Sequence, residues 1–390
     1  MVTEKIMSKP LVKSKLPNVG TTIFTVMTAE ATKWGAINLA QGFPDFPCDS
    51  ELIECVSDAM RKGHNQYAPM MGLLSLREEL ARLAQEHHKI TYNADNEITI
   101  TSGGTEALFA AISAVVQAGD EVIVFEPSYD SYVPAIELCG GIAIPIPLQF
   151  PNYSVDWEAV KQKITHKTKA IIINTPHNPT GRVLSFLDLE KLLSIIRERD
   201  IFVISDEVYE FITFDGIEHQ SVMRIPALAE RSFVIGSLGK TFHVTGWKIG
   251  YCYAPKELTT EFRKVHQFLT FATSHPFQFG IATYLKKYPQ KPFELKQIYE
   301  EKRNQFLEIL KATRFEPLPC EGSYFQTCSF KKITDEKDTN FVMKMTREFG
   351  VAAIPFSVFY QNEMDHKVIR FCFAKERDTL NKAGDKLCKI

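Results

Sequence analysis

The sequence predicts an α/β fold with a largely parallel sheet covered on both faces, and two observations carry that reading. From residue 97 onward strand-like and helix-like stretches alternate strictly, and the strand-like stretches are apolar throughout instead of at every second residue. A strand with no polar side has no wet face, and parallel strands are joined by crossovers that are usually helices. In such sheets ligands sit at the carboxyl ends of the strands, so chemistry should be sought on that rim.

The elements follow in order. Residues 1–19 are polar, carry Lys5, Lys9, Lys13 and Lys15, and read as a loose arm; 21–34 can form a short helix. Residues 38–47 hold too much Gly and Pro for a regular element and read as a loop. A helix over 51–62 places Leu52, Cys55, Val56, Ala59 and Met60 on one face, and 74–87 repeats the pattern after a turn-like 67–72. Strands are expected over 98–101, 121–125, 142–146, 170–173, 201–204 and 233–235, with helices over 105–117, 131–138, 156–163 and 187–199. The stretch 257–285 is mostly helical, and Pro289 and Pro292 then mark a boundary. The remainder reads as α+β, with a long helix to about residue 311 and short strands around 324–326 and 368–373.

Composition bounds the function. A chain of 390 residues is long enough for two domains, and 45% hydrophobic with 24% charged residues describes an ordered globular protein. A net charge of -2 supplies no electrostatic reason to bind nucleic acid or an acidic membrane surface. No apolar stretch approaches a membrane span, and no signal-peptide pattern follows the N-terminal lysines. The eight cysteines are irregularly spaced with no Cys-x-x-Cys, which points to reduced thiols, a cytoplasmic location and no metal site.

Four apolar strands end in residues with chemical potential, all on one rim. The 98–101 strand runs into Ser102-Gly-Gly-Thr105 and a helix, where free N–H groups and the helix dipole suit a phosphate, although Gly also serves a plain helix start. The 170–173 strand runs into Asn174-Thr-Pro-His-Asn178-Pro-Thr-Gly181, which is also turn chemistry. The 201–204 strand runs into Ser205-Asp206-Glu207-Val-Tyr209, whose acid can cap a helix or pair with a buried cation. The fourth strand passes through Gly236-Ser-Leu-Gly to Lys240, and a partly desolvated lysine there has a lowered pKa and can form a Schiff base.

These blocks resemble the class I and II aminotransferases of pyridoxal-phosphate (PLP) fold type I, most of all the methionine aminotransferase and kynurenine/glutamine transaminase subgroup. The resemblance spans nearly the whole chain and rests on eight ordered blocks: 41–46, 65–67, 104–109, 126–130, 174–181, 205–209, the Lys240 block and 368–373. It implies a large domain over 47–288 with a mainly parallel seven-stranded sheet. A smaller α+β domain over 289–390 would be joined by part of the 1–46 segment. It further implies that Lys240 holds PLP and moves the substrate Cα proton, that Asp206 pairs with the pyridine nitrogen, and that Tyr209 and Asn178 bind the ring oxygen. Tyr129 would stack on the ring. Gly104, Thr105, Ser237, Lys248 and the partner subunit's Tyr67 would hold the phosphate, which makes the protein a homodimer with shared sites. Arg370 would grip the substrate α-carboxylate as a bidentate fork with Gly42 above it; strand alternation sets Arg370 with Val368 and Cys372, opposite Ile369, Phe371 and Phe373. Ile23 and Tyr324 would border the substrate.

Two positions depart from the family pattern: Lys248 stands for a usual Arg, and His243, read as structural, for a small residue. The expected reaction is ping-pong transamination between an amino acid with a large uncharged side chain and a 2-oxo acid, because no Arg or Lys occurs in the aromatic segments expected to wall the substrate. A β-lyase on the same fold is the alternative. A P-loop reading of 234–241 fails for want of a Gly at Val234 and a helix after Lys-Thr.

Overall fold

The computed structural model describes residues 12–390; the first eleven residues of the expected arm, with Lys5 and Lys9, lie outside the described residues. A seven-stranded sheet organises the chain. Its strands lie in the order Ile98–Thr101, Gly250–Tyr253, Ser232–Ser237, Phe202–Asp206, Thr168–Asn174, Glu121–Glu126, Ile142–Pro147. All run parallel except Gly250–Tyr253, which is antiparallel to both neighbours.

The apolar runs are explained by their two dry faces. Val122, Val124, Ala170, Ile172, Ile204, Phe233 and Ile235 pack on one face against Ala107, Leu108 and Ile112 of the Gly104–Val115 helix and Phe262 of Lys256–Leu269. The alternate residues Ile123, Phe125, Ile171, Ile173, Val203 and Val234 enter the larger core on the other face. Each such side chain, fully buried, contributes about 1.5–3 kcal/mol.

Six of the seven strands match the pattern read from sequence. The seventh, Gly250–Tyr253, was not read from the residues because it is four residues long and opens with glycine. That glycine is required: it lies between Thr101 and Ser237 in register, and a Cβ there would come within 2.5 Å of the Gly103 carbonyl carbon. A second difference concerns Lys240. Its strand stops at Ser237, and Leu238–Thr241 forms one helical turn that carries the lysine. The loop expected over 38–47 likewise begins with a two-residue parallel pairing of Ile37–Asn38 with Val351–Ala352.

A second, antiparallel sheet of Ile354–Pro355, Val368–Cys372, Phe325–Ser329 and Glu316–Pro317 follows the Lys291–Leu310 helix. It brings Phe325 and Arg370 toward the rim of the large sheet. All eight cysteines are free. Among the described residues no helix is long and apolar enough to cross a membrane.

Candidate active site

The parallel register fixes the first two groups. Asn174 lies directly beside Asp206 at the ends of adjacent strands, and its side-chain N–H donates to the Asp206 carbonyl at 2.8 Å. Asn174 Oδ1 accepts the Asn178 backbone N–H at 2.7 Å, which folds the 174–181 loop over the same rim. Lys240 rises from the neighbouring helical turn. Together these strand ends border a cavity of about 230 Å³.

Gly42, Gly104, Thr105, Tyr129, Asn178, Asp206, Tyr209, Ser237, Lys240, Lys248 and Arg370 all line this cavity. Three other residues named from sequence do not. Ile23 packs on the core while its neighbour Phe24 lines the cavity. Tyr324 is fully buried behind the lining, its hydroxyl accepting from Lys240 Nζ at 2.7 Å and donating to the Gly42 carbonyl at 2.5 Å. Tyr67 is 80% exposed, its ring edge-on to Phe271 at 5.1 Å. His243 lies outside the lining too, edge-on between Phe46 and Tyr299.

The electrostatics follow from enclosure. Burial pulls the Lys240 amine down to about 8, with the Lys248 and Arg370 charges acting in the same sense. Burial pushes the Asp206 carboxyl up to about 6, opposed first by the hydroxyl of Tyr132, which donates to Oδ2 at 2.6 Å. Arg370, with no exposed surface, is drawn by burial down to about 10 and remains a cation at neutral pH. Its guanidinium lies 3.9 Å from the Phe325 ring centroid and donates to Asn178 Oδ1 at 2.7 Å and the Ala40 carbonyl at 3.0 Å. The Gly104–Val115 helix starts with no side chain capping it, and Gly103, Gly104 and Thr105 at that start line the cavity together with Lys248.

Sequence reasoning missed Tyr132 as part of this site, whereas Phe24 and Phe325 belong to the aromatic segments expected to wall the substrate and do line the cavity. Tyr132 was open to discovery: it is an aromatic with a polar tip at the first position of its helix, three residues beyond Tyr129.

Residues 35–387 match the family described as aminotransferase class I and II. The chain is 46% identical over 384 residues to the methionine aminotransferase of Escherichia coli, covering 98% of this chain and 100% of that one. It is 33% identical to human kynurenine–oxoglutarate transaminase 1 over 98% of this chain and 99% of the other. A solved structure of an Escherichia coli protein whose reactivity identified a methionine aminotransferase function superposes with a TM-score of 0.95, covering 98% of this chain and all of that one.

Proposed function

The chain belongs to the class I and II aminotransferases, and from that premise we propose which residues carry its transamination and which donor it takes. Members of this family depend on PLP, which serves as an electron sink when bound. The residues here fit such a group: one end of the cavity offers an amine beside a buried carboxylate, the other an uncapped helix start and a lysine. At Gly103 a Cβ would meet Lys248 Cε and Nζ at 3.1 Å each, so glycine lets the lysine lie against the helix start.

Lys240 would hold the cofactor covalently at rest and, once the substrate's amino group had displaced it, would take the substrate Cα proton as a free amine. Its low proton affinity keeps much of the amine neutral near pH 8 and able to accept that proton. When the cofactor is bound, Asp206 would pair with the pyridine nitrogen, and the helix start with Thr105, Ser237 and Lys248 would hold the phosphate. Asn178 and Tyr209 would bind the ring oxygen, and Tyr129 would cover the ring face. Arg370 takes the α-carboxylate, with Asn178 and Phe325 fixing the plane of its fork. Tyr67, exposed and outside its own chain's cavity, serves a second copy; Phe271, whose ring it meets edge-on, and Phe268 and Leu269 just before it in sequence are also exposed and give that copy apolar surface to cover. The division into 47–288 and 289–390 units belongs to the same reading.

The donor is an amino acid with a large uncharged side chain, of the methionine or aromatic kind, and its partner is a 2-oxo acid. One observation carries this: the only cations lining the cavity, among the described residues, are Lys240, Lys248 and Arg370, each with a task of its own. A side-chain carboxylate would be buried unpaired, which is costly. Arg61 pairs with Asp58 and Glu54 at the surface, and Arg77 is spent on the Gly72 and Ala94 carbonyls, so neither supplies a further charge. The test is kcat/KM for methionine, phenylalanine and aspartate with one shared 2-oxo acid, beside peptide mapping of the borohydride-reduced holoenzyme. A label on Lys240 and at least about tenfold preference for methionine over aspartate are expected. Aspartate matching methionine refutes the donor reading, and a label elsewhere refutes the lysine.

A further inference from the structure

We propose that Tyr324 is a positioning residue for Lys240: with the Gly42 carbonyl it takes both hydrogens of the neutral amine and thereby aims the nitrogen lone pair into the cavity. This rests on the reading of Lys240 as the cofactor-bearing lysine and adds to it how that amine is oriented.

The assignment follows from counting hydrogens. The Tyr324 hydroxyl has one, and its oxygen lies 2.5 Å from the Gly42 carbonyl, which can only accept. The hydroxyl hydrogen is therefore spent on Gly42, and toward Lys240 at 2.7 Å the phenolic oxygen acts as acceptor. Lys240 Nζ also donates to the Gly42 carbonyl at 3.2 Å. A neutral amine has two hydrogens and one lone pair. Both oxygens lie on one side of Nζ, so hydrogens drawn toward them leave the lone pair on the other side, free for the cavity that Lys240 lines. The fall of the amine to about 8 makes this neutral form accessible near physiological pH.

Tyr324 can act as a fixed point because its ring cannot swing. It has no exposed surface and is held edge-on by Tyr209 at 5.0 Å and Phe325 at 4.9 Å, with Tyr299 tilted against it at 5.6 Å. Lysine, by contrast, has a flexible four-carbon stem and much rotamer freedom to lose. Two rigid acceptors remove that freedom before a reacting carbon arrives. Gly42 is equally fixed, since even a Cβ there would lie 2.8 Å from Phe325 Cζ.

Tyr324→Phe tests the proposal, because it keeps the packed ring and deletes only the oxygen. Cofactor-stripped Tyr324→Phe should recombine with pyridoxal phosphate about 10- to 100-fold more slowly than the parent protein, followed by absorbance. It should reach the same final stoichiometry, with the same borohydride label on Lys240. In the holoenzyme the single-turnover reaction with methionine should slow similarly, with a larger Cα-deuterium isotope effect and little change in KM. Tyr299→Phe is the packing control: its hydroxyl has no partner, so both rates should stay at the parent level. Recombination of Tyr324→Phe at the parent rate overturns the proposal. So does a raised KM with parent kcat and isotope effect, which would assign Tyr324 to substrate binding. Should Tyr324→Phe fail to fold, 3-fluorotyrosine at 324 weakens the acceptor without removing it; partial slowing supports the role and parent behaviour refutes it. Absence of the label from Lys240 in the parent enzyme is a separate outcome, which removes the reading beneath this one.

Discussion

Tyr132→Phe removes one oxygen and should change cofactor affinity in a pH-dependent way that can be worked out beforehand. The Tyr132 hydroxyl donates to Asp206 Oδ2 at 2.6 Å, and Asp206 is only 4% exposed. Burial has raised this carboxyl from 3.8 to about 6, and the tyrosine bond is the first of the influences holding it down. A hydrogen bond to a charged group is worth about 1.5–3 kcal/mol, or about 1–2 pH units, so its loss moves Asp206 to roughly 7–8. On the proposed pairing with the pyridine nitrogen the carboxylate must be ionised, and affinity should fall by the factor 1 + 10^(pKa − pH). For the parent at pH 7 that factor is about 1.1; for Tyr132→Phe it is about 2–11. At pH 9 it should shrink to below about 1.2. Equilibrium dialysis of pyridoxal phosphate at pH 7 and 9 measures both. The linkage has a second consequence. A carboxyl raised in the folded state loses stability as pH climbs from its unfolded value to its folded one. The cofactor-stripped parent should thus weaken between pH 3.8 and about 6, and Tyr132→Phe should go on weakening to about 7–8. An equal loss of affinity at both pH values, or none, would refute the electrostatic account and leave Tyr132 a packing residue.

Arg370→Lys keeps the charge but cannot bond Asn178 Oδ1 and the Ala40 carbonyl in one plane while facing a carboxylate; kcat/KM for methionine should fall about 10- to 100-fold with bound cofactor unchanged in absorbance. Gly42→Ala drives a methyl against Phe325, the ring under the Arg370 guanidinium, so KM for the amino donor should rise several-fold while cofactor binding holds. His266→Ala breaks a buried link in which the ring joins Glu106 Oε1 at 2.9 Å to the Met70 carbonyl at 3.0 Å. Leaving Glu106 half-paired should cost about 3–5 kcal/mol in urea unfolding. It should also loosen the 67–70 segment, measured as faster amide exchange there.

The sequence by itself determined the sheet and most of its rim. Continuously apolar runs with no polar face required two covered sides, and strand ends carrying Asn174, Asp206 and the Lys240 segment had to meet on one edge, because parallel strands end together. The short-range signals were lawful because hydrophobic period and turn chemistry act over a few residues. Tertiary structure alone decided what came from far along the chain. The antiparallel Gly250–Tyr253 strand was too short to show a period, and its place between Thr101 and Ser237 depends on pairing partners 149 and 13 positions away. Tyr132 meets Asp206 across 74 residues and Tyr324 meets Lys240 across 84; no local pattern records such a bond. Phe325 was expected to wall the substrate and does line the cavity, but that its face also carries Arg370 is visible only in the fold. Burial is legible from composition and period, whereas the direction of a hydrogen bond between distant segments is fixed only when packing has set both ends.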